Sequence, residues 1–240
     1  MKAAESLPSV SQVYLLLGKC FSYPEEEFYR LMAEERAGEE FRVMVEGLPF
    51  NVNFRGVPSP SLPQEEFESH YLSSFDLALA GPSLPCSLYE SAYREEETSS
   101  RDITEELLRF YDHFNVKLSD KEKDYPDHLA VELEFMGFLA KKEADAVAQG
   151  RDPAAYRRAQ LDFLERHLDR WVHRLAERVQ ERVREPFYRG VSSFLGEFLM
   201  CHLLYLREKA AAQESPGEPP PAIGPGALPR AMRTPSGGGP

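Results

Sequence analysis

Between Leu129 and Ala140 the chain reads LAVELEFMGFLA, apolar on nearly every side of a helix. At about 100° per residue, Leu133, Met136 and Ala140 fall within about 40° of Leu129. Val131, Phe135 and Phe138 fall at roughly 180–240°, and Leu139 near 280°. Only Ala130, Glu134 and Gly137 are left for a wet face. A helix of this kind belongs in the middle of a protein, with other elements around it. No stretch alternates apolar and polar residues as a strand would, and the segments between prolines and glycines show helical spacing. The predicted fold class is all-α: one globular domain over residues 1–212 with about nine helices. They are placed at roughly 8–21, 25–37, 39–47, 64–76, 89–97, 102–114, 127–149, 153–185 and 187–210. Pro8, Pro24, Pro153 and Pro186 mark boundaries, because proline suits a first turn and breaks an interior.

Residues 213–240 are expected to form a disordered tail. From Ser215 onward, 14 of 26 residues are Pro or Gly, too few apolar groups to offset the entropy of ordering. Two further loops, 48–63 and 77–88, are long, proline-rich and partly apolar, a kind that often carries function. The first also suits a hinge, and a homodimer is compatible with that.

The net charge of −12 is uneven: −15 over residues 1–150 and +3 beyond. An acidic body repels nucleic acid and anionic lipid and attracts basic peptides. Cys20, Cys86 and Cys201 are odd in number, far apart and in no CxxC pair, which reads as reduced thiols. The longest apolar run, Phe194–Leu206, contains Glu197 and is too short to span a membrane. A cytoplasmic protein without membrane insertion is expected. In the helix from Pro153, Leu161, Leu164, Leu168, Trp171, Leu175, Val179 and Val183 form a core-facing stripe. Arg166, Arg170, Arg174, Arg178 and Arg182 form a ladder on another side. Acidic residues are interleaved within helical reach, so the ladder is expected to be solvated and self-paired.

At the mouth of the central helix stands DYPDH, Asp124–His128. Asp127 suits an N-cap, accepting from the free amides of the first turn. His128 and Glu132 are one turn apart and can pair. Metal binding by these two is one alternative, together with the scattered His70, His113 and His202. However, the chain has no HExxH, GxSxG or phosphate loop. The segment is thus expected to be structural or part of a binding surface, with no catalytic residue and no cofactor.

The stretch YPDHLAVELEFMGFLAKKEADA (125–146) resembles the signature of the TorD/DmsD/NarJ family of redox-enzyme maturation chaperones through Pro126, Asp127, His128, Glu132, Leu133 and Met136. PCSLYESAYREE (85–96) is similar to the family's tyrosine-rich segment through Tyr89, Ser91 and Tyr93. The likeness runs over roughly residues 8–210. Many members carry an extra residue between the proline and the aspartate. Some carry tryptophans in the leader-binding region, whereas here the sole tryptophan is Trp171. The resemblance implies a non-enzymatic chaperone. Its partner would be the precursor of a molybdopterin oxidoreductase catalytic subunit, bound in many members through a twin-arginine signal peptide. The members nearest to this chain are those serving iron–sulfur enzymes related to dimethyl sulfoxide reductase.

Such a leader is basic, then apolar, so its receptor needs carboxylates beside an apolar groove. Leu84, Pro85, Leu88, Tyr89, Tyr93 and Tyr125 are the candidates for the apolar part. Asp124, Asp127 and Glu90, with the run Glu95–Glu97, are candidates for the arginines. Ser91, Pro126 and His128 complete the predicted contact surface, and Glu132 and Met136 support it from within. That arrangement requires the tyrosine segment and the start of the central helix to lie side by side. A general helical adaptor and a metal-dependent helical enzyme using His128 and Glu132 remain the alternatives.

Overall fold

In a computed structural model, the structure describes residues 2–75, 86–118 and 125–214. Helix α6 (Leu129–Ala148) is central, and α1 (Lys2–Phe21) runs antiparallel along it. The two come close because the facing positions are small. A Cβ on Gly18 would stand 3.4 Å from the Ala130 carbonyl oxygen. The Ser11 hydroxyl donates to the Gly137 carbonyl at 2.8 Å. Ala130 and Gly137, expected on the wet side of α6, are therefore buried against α1, and the half-buried line is Val131, Glu134 and Phe138. A pattern of apolar residues does not register the close approach that small ones permit.

Around this pair lie α2 (Glu26–Ala33), α3 (Glu35–Glu46), α4 (Gln64–Phe75), α5 (Ser100–His113), α7 (Ala154–Phe163), α8 (Asp169–Arg182) and α9 (Pro186–Glu214). Among the described residues there is no strand, and one isolated bridge pairs Tyr89 with His128. The helix expected at 153–185 is divided: α7 and α8 are joined by a π turn, Leu164–Leu168. Its stripe still faces inward, with Leu164, Leu168, Trp171, Leu175, Val179 and Val183 all buried. The helix expected at 89–97 is a single 3-10 turn, Glu90–Tyr93. Residues 213 and 214, assigned above to the tail, belong to α9. Residues 215–240 lie outside the described residues, as do Leu84, Pro85 and Asp124.

Helix α9 closes the core with aromatic contacts. Phe194 meets Phe41 and Phe54 edge-on, and Phe198 meets Tyr14 edge-on at 4.8 Å. The Tyr14 hydroxyl lies 2.7 Å from His202 Nδ1, and full burial pushes the His202 pKa down to about 3. Buried Glu143 on α6 binds Arg157 Nε at 2.8 Å and Gln160 Nε2 at 2.7 Å, tying α7 to the core. The loop at 48–63 is anchored by the Glu185 carboxylate, which accepts from both the amide and the hydroxyl of Ser61 at 2.8 Å. It also packs on α9 so tightly that a Cβ on Gly190 would stand 2.5 Å from Pro58 Cδ. A proline ring cannot swing aside as a flexible side chain can. Gly190→Val is therefore expected to cost about 1–3 kcal/mol in urea denaturation. Gly38→Ala, where a Cβ meets nothing within 4 Å, is the matched control and should not destabilise. Among the described residues, no helix is long and apolar enough to cross a membrane.

Candidate functional site

Residues 88–91 and 125–129 meet as a short seam. The Glu90 amide donates to the Asp127 carbonyl at 2.9 Å and the Leu129 amide to the Leu88 carbonyl at 2.8 Å. The Asp127 carboxylate accepts the next amide, that of Ser91, at 3.2 Å. The Glu90 and Ser91 amides, which a helix leaves free in its first turn, are taken across the seam, and one 3-10 turn, Glu90–Tyr93, follows with Tyr89 as its N-cap. The aspartate is also drawn away from capping α6. Instead His128 is the N-cap, its Nδ1 accepting the Ala130 amide at 3.2 Å. Tyr89 packs edge-on against His128 at 5.0 Å and Tyr125 at 6.1 Å.

Tyr93 turns the other way. It is buried, its hydroxyl donates to the Ser87 carbonyl at 2.9 Å, and its ring lies 5.3 Å from Trp171. Helix α8 grips this part of the loop with arginines that were expected to pair with the acidic residues of their own helix. Arg174 donates to the Tyr93 carbonyl at 2.6 Å, Arg178 sits 4.5 Å over the Tyr93 ring, and Arg170 binds Glu97 at 3.0 Å. The hydrogen bonds to Arg170 and Arg94 pull the Glu97 pKa below its ordinary value. Glu97 is thus engaged by the chain's own cations, while Glu95 and Glu96 stay exposed.

Glu90 is fully buried, not at a lip. One carboxylate oxygen pairs with Arg94, and the other lies 2.9 Å from His167 Nδ1. His167 is also fully buried and comes from the π turn. The same turn exposes the Arg166 carbonyl, which accepts from Arg94 at 2.9 Å. A π turn releases a carbonyl from the regular ladder, and here a neighbouring guanidinium takes it. Glu132 is enclosed beside this cluster and accepts from Trp171 Nε1 at 3.5 Å. Desolvation, with Glu90 and Asp127 close by, holds its pKa well above the ordinary carboxyl value. Met136 is buried beneath.

The sequence-predicted surface therefore divides by exposure. Leu88, Glu90, Tyr93, Asp127 and His128 are buried; Tyr89, Ser91 and Pro126 are half-buried; Tyr125 is 67% exposed. Arg94, His167 and Trp171 were not anticipated at the seam. The one hint was a histidine set between Leu164 and Leu168. Among the described residues, no group of three or more His, Cys, Asp or Glu is placed to hold a metal.

The geometry is that of a helical scaffold that holds a braced loop against the start of its central helix. A match to the nitrate reductase delta subunit family spans residues 49–177, which includes the whole seam. The chain is 35% identical to the selenate reductase assembly chaperone protein of Thauera selenatis, over 82% of this chain and 89% of the relative. It is 37% identical to the chlorate reductase assembly chaperone protein of Ideonella dechloratans, over 66% and 70%. It is 32% identical to the perchlorate reductase assembly chaperone protein of Dechloromonas aromatica, over 80% and 88%. The chain belongs to the nitrate reductase delta subunit family, within the redox-enzyme maturation group that its motifs resemble.

Proposed function

We propose that this chain is a cytoplasmic assembly chaperone for a molybdopterin oxidoreductase. It binds the precursor of the catalytic subunit, recognises its twin-arginine leader, and holds it for cofactor insertion before assembly or export. The observation that carries this is the likeness, over most of the chain, to three assembly chaperones of oxyanion reductases. The seam supports it: Tyr125 is exposed and Tyr89 and Pro126 are half-buried, and Glu95 and Glu96, further along the same loop, are exposed. Tyrosine suits such a contact because its ring is apolar and its hydroxyl stays wet. Asp127 and His128 act from below, one fixing the 89–91 segment and the other the start of α6.

The test is co-purification of a tagged chain with the full precursor and with a precursor lacking its leader. Loss of the leader is expected to weaken capture at least tenfold. Equal capture of both forms would place the main contact on the mature domain. If no molybdopterin subunit is captured and other proteins are, the chain is a general adaptor.

A further inference from the structure

The seam gives a leader little depth, since Leu88 and Tyr93 fill its interior. A separate apolar groove lies between α8 and α9. Val172 and Ala176 of α8 and Gly196, Leu199 and Met200 of α9 line a cavity of about 350 Å³. Met200 is 49% exposed, and Leu204, one turn further along α9, is 57% exposed. The lining also holds two carboxylates, Asp169 and Glu197, and one histidine, His173, with no lysine or arginine. Greasy floor and acidic lip are the two properties that a basic-then-apolar segment requires of its receptor. From Gly196 to Leu204 the helix rises about 12 Å, the length of about four extended residues or two turns of a bound helix. Methionine on the floor adapts to varied apolar side chains.

The geometry points to the α8/α9 groove as the receptor for the apolar stretch of the client's leader, with Asp169 and Glu197 meeting its arginines. This rests on the chaperone reading above and assigns it a second surface apart from the seam. Gly196 provides a clean test, because a Cβ there has nothing within 4 Å. A larger side chain fills the groove without disturbing the fold, and in a helix interior it also replaces a poor helix former. The probe is a fluorescein-labelled synthetic peptide of two arginines followed by ten alanine and leucine residues, read by anisotropy. Gly196→Leu is expected to weaken binding at least tenfold, with the melting temperature unchanged or raised, and Leu204→Ser to weaken it several-fold. If Gly196→Leu binds like the wild type while Tyr125→Ala does not, the groove assignment is overturned and leader recognition at the seam stands. If the wild type binds no such peptide, and capture of the precursor does not depend on its leader, groove and leader recognition fall together. If Gly196→Leu only dissociates a dimer in sedimentation, the groove joins two copies of this chain and the assignment is likewise overturned.

Discussion

Glu90→Ala is expected to cost about 3–5 kcal/mol of folding free energy, the range for breaking a buried ion pair from one side. The carboxylate holds Arg94 with one oxygen and His167 with the other, and all three are largely or wholly enclosed. Alanine leaves the buried His167 without this carboxylate and takes from Arg94 its most enclosed partner, leaving it Glu97 and the Arg166 carbonyl. Glu90→Gln keeps the shape and one acceptor and should lose markedly less. Urea denaturation of the two variants, each alone and combined with His167→Gln, measures the coupling. The Glu90 and His167 effects should be strongly non-additive, because either change alone already breaks the contact. Additive losses would mean that the two side chains do not stabilise each other. Precursor capture should fall in parallel, since Glu90 sits directly behind the Tyr89–His128 bridge.

The place of Glu90 also shows where inference from sequence runs out. In YESAYREEE it is one glutamate among four, and nothing local separates it from Glu95 or Glu96. Its burial depends on His167, 77 positions away, and on a π turn that leaves no mark in an otherwise regular helical pattern. The arginine ladder misled for a related reason. Acids within helical reach made it look self-sufficient, yet Glu97 and the Tyr93 carbonyl, on a distant loop, take Arg170 and Arg174. By contrast, the central position of α6 follows from its apolar circumference, and the inward stripe from Leu164 to Val183 follows from spacing alone. Asp127 stands between these cases. The motif singles it out, but its partner, the Ser91 amide, is set by tertiary pairing, so a capping role was assigned where His128 in fact caps.

Two buried groups should shape the dependence of stability on pH, with opposite signs. His202 is held neutral, with its pKa down to about 3 against an ordinary 6.5. As pH falls below about 6.5 the unfolded chain takes up this proton and the folded one does not, so stability drops by up to about 1.4 kcal/mol per pH unit. Glu132 is held protonated, its pKa raised by desolvation and by the nearby Glu90 and Asp127, while Trp171 and Arg94 pull the other way. As pH rises above the ordinary carboxyl value of 4.5, the unfolded chain releases this proton and the folded one keeps it. Stability then drops with rising pH at a similar limiting slope, until the folded carboxyl also ionises. Between about pH 4.5 and 6.5 the two slopes oppose each other, so their joint contribution is greatest there. Glu132→Gln, which keeps an acceptor for Trp171, should flatten the fall on the alkaline side and gain over the wild type as pH rises. His202→Gln should flatten the acid side only. Urea midpoints at half-unit intervals from pH 4 to 9 would show both. A Glu132→Gln curve parallel to the wild type above pH 6.5 would mean that this carboxyl is already ionised in the folded protein. A buried cluster of three carboxylates against Arg94 and His167 would then have to be balanced some other way.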